Sequence, residues 1–469
     1  MVRKPGKTYE ALLWKLLERG GSKVLRLVVQ IVLARILAPE EFGLLAIMLV
    51  FISLGDIIVL GGLNSALIQK ENPATVEYST AFWLSIGFSL ASFIILALLA
   101  VPIANFYSEP VLVIPLQVLA LQFFPLSFNS IQVAKTTKQL NMRPVFVGAI
   151  VAEITASIVA IWMAMVGYGL WSLIAQQLVA ALVACCVTAL FVRWHPTLDF
   201  SKQTAKELLS FGWNVMGTEL LNSAASSIYT LLIGRWYSAK DLGYYSQGQR
   251  YPSALCEVIT GALAPVLLAD FSNRRLQSRH HLREGLRKAN RETALIMAPT
   301  VAVMFLYAEP IVQFVLTDKW LPCVTILQLF CIVSFLKSMS LIGRQALLAI
   351  GRSELPMRIA ILRLLLSIAL LAIVFVSGAD IYFATVAWTL TGFFEQVATS
   401  FYCKKTLEYS YAQQFLDICV PVIICAACAL FAIAVFLLDI MPDLVSAIVY
   451  LIIYCAIVFF IYRRPKAKE

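Results

Sequence analysis

Long apolar windows recur along almost the whole chain, separated by short polar breaks. About 20 apolar residues in a row is the length a helix needs to cross the hydrocarbon core of a bilayer. Charges, Pro and Gly delimit fourteen such windows, at 14–37, 43–68, 80–105, 111–134, 145–167, 169–192, 208–234, 247–270, 293–316, 322–346, 356–377, 380–402, 416–438 and 443–462. The pattern predicts an all-α polytopic membrane protein of about 14 transmembrane helices, or twelve if the last two windows do not span.

The polar breaks carry an alternating charge. One set of connections, with both termini, holds 26 Lys and Arg, among them Arg3, Lys4, Lys70, Lys138, Arg193, Arg352 and Lys405. The opposite set holds four: Arg35, Arg235, Lys240 and Lys319. The positive-inside rule then places both termini in the cytoplasm and favours an even number of spans. The 271–292 segment, with seven basic residues, is expected to be an amphipathic helix lying on anionic lipid. Outer connections are too short for a sizeable extracytoplasmic domain.

Composition agrees and adds limits. Of 469 residues, 60% are hydrophobic and 14% charged, against about 45–50% and 25% in soluble domains. Mean hydropathy is +0.83. Soluble, disordered, collagenous and coiled-coil classes are excluded. The net charge of +10 belongs to loops facing an anionic leaflet rather than to nucleic-acid binding. Most of the ten cysteines, such as Cys185, Cys256 and Cys331, sit in apolar windows, where Cys acts as a small hydrophobe. The Cys425-x-x-Cys428 pair has no neighbouring ligand cluster, so no metal site is expected. Met1 to Lys7 are basic but lead into no cleavage site, so no cleavable signal peptide is expected.

The first and seventh windows match at an offset of 200 residues. Ala34-Arg35-Ile36-Leu37-Ala38-Pro39-Glu40-Glu41-Phe42-Gly43 aligns without a gap with Gly234-Arg235-Trp236-Tyr237-Ser238-Ala239-Lys240-Asp241-Leu242-Gly243. Upstream, Arg19, Ser22, Lys23, Arg26 and Gln30 align with Glu219, Asn222, Ser223, Ser226 and Thr230, a polar stripe on one helix face in both copies. A weaker echo links Pro115–Leu119 with Ile326–Phe330. The chain therefore reads as two six-helix lobes in the same orientation, 1–200 and 201–405, with an additional helix pair at 406–469. Transporters built from such repeats bind substrate between the halves and alternate access by rocking.

At these residues the chain resembles a known family. Leu33 to Ala46, Gly62 to Gln69 and Ser79 to Leu84 resemble the Wzx-type polysaccharide and O-antigen flippases of the multidrug/oligosaccharidyl-lipid/polysaccharide exporter superfamily, in particular the colanic and teichuronic acid exporter group. The resemblance implies a V-shaped bundle. It further implies a flippase that moves an undecaprenyl-diphosphate-linked oligosaccharide across the bacterial cytoplasmic (inner) membrane for surface polysaccharide biosynthesis. Membrane lipids and other polysaccharide-assembly proteins are the expected partners, and nucleic acid is not.

That task needs cations for the diphosphate. Lys15, Arg19, Lys23 and Arg26 reach about mid-membrane on the first span. A central cation costs roughly 2.5–3.5 kcal/mol on insertion scales, so the deeper ones should face a hydrated cavity or a carboxylate. Lys15 and Arg19 can instead snorkel to the interface. The expected substrate cavity is Lys23, Arg26, Gln30, Glu219, Asn222, Arg250 and Lys337. Glu219 is placed to pair with Lys23 or Arg26 in the empty state, or to carry a coupling proton. Asp56, Glu153, Glu257, Arg363 and Glu395 are candidates for ion coupling or for interhelical support. Arg35 and Arg235 are expected to anchor at the interface or pair with Glu41 and Asp241.

No Walker-type loop is present and no cofactor is expected. A proton or sodium gradient, or the membrane potential, is the expected energy source. A second reading is an ion-coupled multidrug or small-molecule antiporter of the same superfamily. It would want an aromatic, acidic cavity, against the basic stripe. A polymerase or ligase would want a large outer loop, and the three histidines (His195, His280, His281) all fall on the basic side. No catalytic residues are assigned.

Overall fold

The computed structural model describes residues 21, 22, 24–70, 73–352, 354–437, 450 and 454, and among them there is no β-strand. The helices are α1 (24–36), α2 (Pro39–Leu60), α3 (Leu63–Gln69), α4 (Thr75–Tyr107), α5 (Val113–Ala120), α6 (Phe123–Lys138), α7 (Arg143–Val166), α8 (Leu170–Val192), α9 (Lys202–Trp236), α10 (Ala239–Gln277), α11 (Arg279–Leu306), α12 (Ala308–Val315), α13 (Cys323–Ala349), α14 (Glu354–Val376), α15 (Ile381–Leu407) and α16 (Tyr411–Leu437). They form two compact units, residues 1–243 and 244–469.

Nine described stretches are long and apolar enough to span a membrane, and α11 with α12 makes a tenth, bent by 71°. These correspond to ten of the fourteen windows. The windows at 208–234 and 380–402 form helices α9 and α15, but polar residues such as Glu219, Asn222, Thr385 and Glu395 keep their hydropathy down. Most of the window at 443–462 and the first third of the one at 14–37 lie outside the described residues, as do Lys15, Arg19 and Lys23.

Three details depart from smooth spans. The second window breaks at Gly61 and Gly62, whose φ of 50° and 65° suits residues without a Cβ. The fourth combines α5 and α6 around a turn at Leu121 and Gln122. The 271–292 segment is not a separate surface helix. α10 runs on to Gln277, Ser278 caps α11 by accepting from the His281 N–H at 3.1 Å, and Phe271, Leu282, Leu286 and Ala289 are buried in one apolar cluster. Those apolar residues give both helix ends an inner face, and the basic residues occupy the outer one.

In the first unit, α7 and α8 form a tight pair. Gly148, Ala152, Ala156, Ala160 and Ala164 recur every four residues along α7 and are buried. Small residues at that spacing let helix backbones approach closely, and van der Waals packing then holds them.

The 200-residue repeat has a structural counterpart. Both copies start a helix with an acid at its third position. The Glu41 carboxylate accepts from the Ala38 N–H at 2.8 Å, and the Asp241 carboxylate accepts from the Ser238 N–H and hydroxyl at 3.3 and 2.7 Å. Each acid satisfies donors at a helix start and sits at the favourable end of the dipole. Among the described residues no ion pair joins either acid to the preceding arginine, and the Arg235 guanidinium lies 5.2 Å from the Phe106 ring centre.

Two glycines bring the copies together. A Cβ on Gly43 would stand 1.7 Å from the Ala239 carbonyl oxygen, and one on Gly243 would stand 2.0 Å from that of Pro39. Pro39 is to Ala239 as Gly43 is to Gly243, so the contact is reciprocal, as across a local two-fold axis. Only glycine permits either approach. A second close approach joins Gly62 to Gly212 of α9.

In the second unit α13 is the central helix, packed against α11, α14 and α15. α16 lies along α11. The Arg287 guanidinium donates to both Asp417 oxygens at 2.8 and 3.2 Å, and the Tyr409 hydroxyl donates to the same carboxylate at 2.9 Å. Farther along, the Cys425 sulfur meets the Tyr450 hydroxyl at 2.8 Å, in a buried cluster with Ala298 and Tyr454.

Candidate functional site

One charge pair crosses between helices within the first unit. On α1, Arg26 Nε donates to Glu153 Oε1 of α7 at 2.9 Å, and Nη2 donates to the same oxygen. Glu153 is buried, whereas the Arg26 side chain is 57% exposed. One turn on, the buried Gln30 amide donates to Gln176 of α8 at 3.0 Å. The spacing of four puts both bonds on one helix face. Arg26 thus takes Glu153 as its carboxylate rather than Glu219, which is exposed on α9 and forms no ion pair among the described residues. The Asn222 side chain lies outside the described residues. Asp56, half-buried on α2, is set beside Gln122, with one carboxylate oxygen buried without a hydrogen bond among the described residues.

The second unit gathers charge differently. Arg363 of α14 donates from Nη1 to Glu395 Oε2 of α15 at 2.6 Å, and Arg344 Nη1 of α13 lies 3.7 Å from Glu395 Oε1. Trp388, one face of α15 above Glu395, holds two cations. The Arg363 guanidinium carbon is 4.9 Å and Lys337 Nζ 5.4 Å from its ring centre. Each distance falls within the range of cation–π attraction. Two arginines therefore share one buried carboxylate, at 10% side-chain exposure, with Lys337 beside them over the indole. α10 completes the wall: the Cys256 sulfur meets the Ser338 hydroxyl at 3.3 Å, and Glu257, exposed on α10, acts on Lys337 electrostatically at longer range. Arg250 sits two turns before Glu257 on α10, half-buried next to Tyr251.

Position along the helices sets the depth. Arg363 lies nine residues from the start of α14, and Lys337 and Glu395 twelve from the ends of α13 and α15. At 1.5 Å per residue they stand about 13–18 Å from the basic helix ends, near the middle of a span. Carrying more cations than anions at that depth is expensive, and the excess favours an anion.

Lys337, Arg363 and Glu395 were each legible as intramembrane charges, and the structure brings them together. Arg344 and Trp388 were not singled out. Arg344 read as a loop cation and Trp388 as an ordinary aromatic. The available signal was spacing: Arg344 is seven residues after Lys337, and Trp388 seven before Glu395, so each pair shares a helix face.

Comparison with solved structures defines the class. The chain superposes on the lipid II flippase MurJ in an inward closed conformation with a TM-score of 0.78 at 14% identity, over 97% of this chain and 100% of that one. It is a multi-pass helical membrane protein with that fold. The chain belongs to the polysaccharide biosynthesis protein family, whose profile matches residues 32–325. It is 28% identical over 308 residues to the succinoglycan biosynthesis transport protein ExoT of Rhizobium meliloti (strain 1021), covering 66% of this chain and 62% of the relative. It is 24% identical over 431 residues to the lipopolysaccharide biosynthesis protein WzxC of Escherichia coli (strain K12), covering 88% and 85%. The match thus spans about three fifths of the length of the first relative and most of the second.

Proposed function

We propose that the protein is a flippase that moves an undecaprenyl-diphosphate-linked oligosaccharide across the bacterial inner membrane by alternating access. The observation that carries this reading is the cation excess of Lys337, Arg344 and Arg363 around Glu395 and Trp388, within membrane-spanning helices. A diphosphate is doubly charged or nearly so, and arginine offers it a planar, two-donor fork. Arg344 is held at 3.7 Å, a loose distance, so its guanidinium is the one released from Glu395 at least cost. The family membership and the lipid II flippase fold support the same reading. In it, the two repeat halves rock against each other, the basic helix ends and both termini face the cytoplasm, and the neighbouring partners are other polysaccharide-assembly proteins.

With a negative cell interior, outward movement of an anion is favoured by about 2.3 kcal/mol per charge per 100 mV. The potential, or a proton or sodium gradient, then drives the cycle without ATP. Asp56 and Glu219, which form no ion pair among the described residues, are the acids proposed for ion coupling. The antiporter reading suits this site less well, because a cationic drug would meet three cations before one acid.

The test is reconstitution of the purified chain in liposomes with a fluorescent lipid-diphosphate oligosaccharide in one leaflet. Transfer that responds to an imposed potential and is abolished in Lys337→Gln/Arg363→Gln is expected. Transfer that persists at the wild-type rate in this variant overturns the site. Efflux of cationic dyes with no lipid transfer overturns the function.

A further inference from the structure

The mechanism leaves a second basic cluster unused. A cleft of about 580 Å³ opens at the basic ends of α13, α14 and α15, against the turn between α10 and α11. Its polar wall is Arg275, Arg279, Arg352, Arg358 and Lys405, with one carboxylate, Glu354. Glu354 is taken by Arg352 at 3.3 Å, and Arg275 donates to the Ala349 carbonyl at 2.9 Å. Arg279, Arg358 and Lys405 form no ion pair among the described residues. Arg279 is moreover the first residue of α11, the helix end at which a cation is disfavoured by the dipole and an anion is welcomed. Three further cations crowd a concave site whose one acid, Glu354, is already engaged by Arg352.

The surroundings say what kind of anion fits. From Arg358, the exposed residues Met357, Ile361 and Leu365 run down α14 at a spacing of four. From Lys405, the exposed residues Phe401, Val397 and Phe393 run down neighbouring α15 at the same spacing. Both stripes leave the cleft toward the middle of the spans. A phosphate in the cleft with two apolar chains on these tracks is the outline of a diacyl phospholipid. Basic pockets between membrane helices are a recognised way to hold such headgroups.

We propose that this cleft is a binding site for one anionic phospholipid, its phosphate held by Arg279, Arg358 and Lys405 and its chains along α14 and α15. The site lies on the same helices as the charge cluster. Arg358 is five residues before Arg363, and Lys405 ten after Glu395, so headgroup occupancy fixes the ends of the helices that carry the cluster. The inference does not depend on the cargo, and it stands or falls by binding rather than by transport.

The full-length chain in detergent is mixed with phosphatidylglycerol or phosphatidylcholine, and retained lipid is counted by native mass spectrometry. The expected result is one phosphatidylglycerol retained at least tenfold more tightly than phosphatidylcholine. Arg279→Gln/Arg358→Gln/Lys405→Gln should bring that preference below twofold with an unchanged melting temperature. Lys202→Gln/Lys206→Gln, at the basic end of α9, should leave it intact. Millimolar glycerol phosphate or inorganic phosphate should not displace the lipid. Full preference in the triple variant overturns the site. Equal loss in the α9 variant reduces it to bulk charge and also overturns it. Displacement by inorganic phosphate would make it a soluble-anion site instead. Should the triple variant fail to fold, Arg358→Gln alone is expected to lower the preference at least threefold, and no change there has the same overturning weight.

Discussion

The two units place a charged residue at nearly the same depth in corresponding helices and do opposite things with it. Glu153 lies ten residues along α7, and Arg363 nine along α14. Around Glu153 the account balances, with one carboxylate and one guanidinium, next to an amide–amide bond. Around Arg363 it does not, since two arginines meet one carboxylate and Lys337 joins Arg363 over an indole. The first arrangement suits a latch between helices, which needs nothing from outside. The second is complete only with an added anion. Packing differs too: in the first unit Gly43, Gly243, Gly62 and Gly212 meet backbone, whereas the tight glycines of the second unit, such as Gly343 against Thr399, meet side chains.

The sharpest way to break this comparison is Arg363→Gln. It leaves Glu395 with Arg344 as its remaining ion-pair partner among the described residues and is expected to cost about 2–5 kcal/mol, as for other broken buried pairs, together with all measurable export. Adding Glu395→Gln should recover the melting temperature in detergent but not export. If the double variant exports normally, the cluster is only structural. Next in size is Gly43→Ala, which drives a methyl group into the Ala239 carbonyl. A loss of about 1–3 kcal/mol is expected from overpacking, and Gly243→Ala should match it, because the contact is reciprocal. Unequal losses would show that the two copies are not equivalent. Smaller still is Glu153→Gln. Its partner is largely exposed, so about 1 kcal/mol or less is at stake, and export should persist within a few-fold. Complete loss of export there would erase the distinction between latch and binding site.

The smallest effect concerns a link at the basic end of the first unit, where Lys70 pairs with Glu77 and with Glu207 at 2.9 Å. The hydrogen bond to Glu77, then that to Glu207, holds the Lys70 ammonium above its ordinary 10.5, and the bond from Lys70 holds the Glu207 carboxyl below its ordinary 4.5. The Lys70 contribution is therefore full below pH 10.5 and fades above its raised value. That of Glu207 is full above pH 4.5 and fades as the pH falls through its lowered value. Melting temperatures of the wild type and Glu207→Gln should run parallel between pH 6 and 9 and converge only at the extremes. A difference that changes inside that window would require another titrating group.

Much of the fold could be read directly, because a bilayer demands long apolar windows and few other constraints compete. What escaped were the places where the backbone departs from one straight helix per window. Gly61 and Gly62 looked like ordinary membrane glycines, and the bend after Leu306 falls inside one apolar window, where Pro310 cannot donate to the Leu306 carbonyl. The outward continuation of α10 and α11 was hidden because their charges outnumber the few apolar residues that dock them, such as Leu282 and Leu286. For the site, single charges were visible but their partners were not. Arg26 and Glu153 are 127 residues apart, and no local pattern reports such a contact. Arg344 was lost for a different reason: near a helix end, an arginine that sets orientation and one that reaches inward look alike.

The reciprocal contact of Gly43 and Gly243 has a consequence for how the protein is made. Its two sides are separated by 200 residues of chain. At about 5–20 residues per second, the ribosome needs about 10–40 s to deliver the second after the first. For that interval the start of α2 sits in the bilayer with a bare backbone notch and nothing to fill it. Insertion of α9 and the first turn of α10 closes the notch, so the first unit reaches its final form only when the chain has passed its midpoint. Truncation before residue 243 should leave a species that membrane quality control recognises, and truncation just beyond it should not.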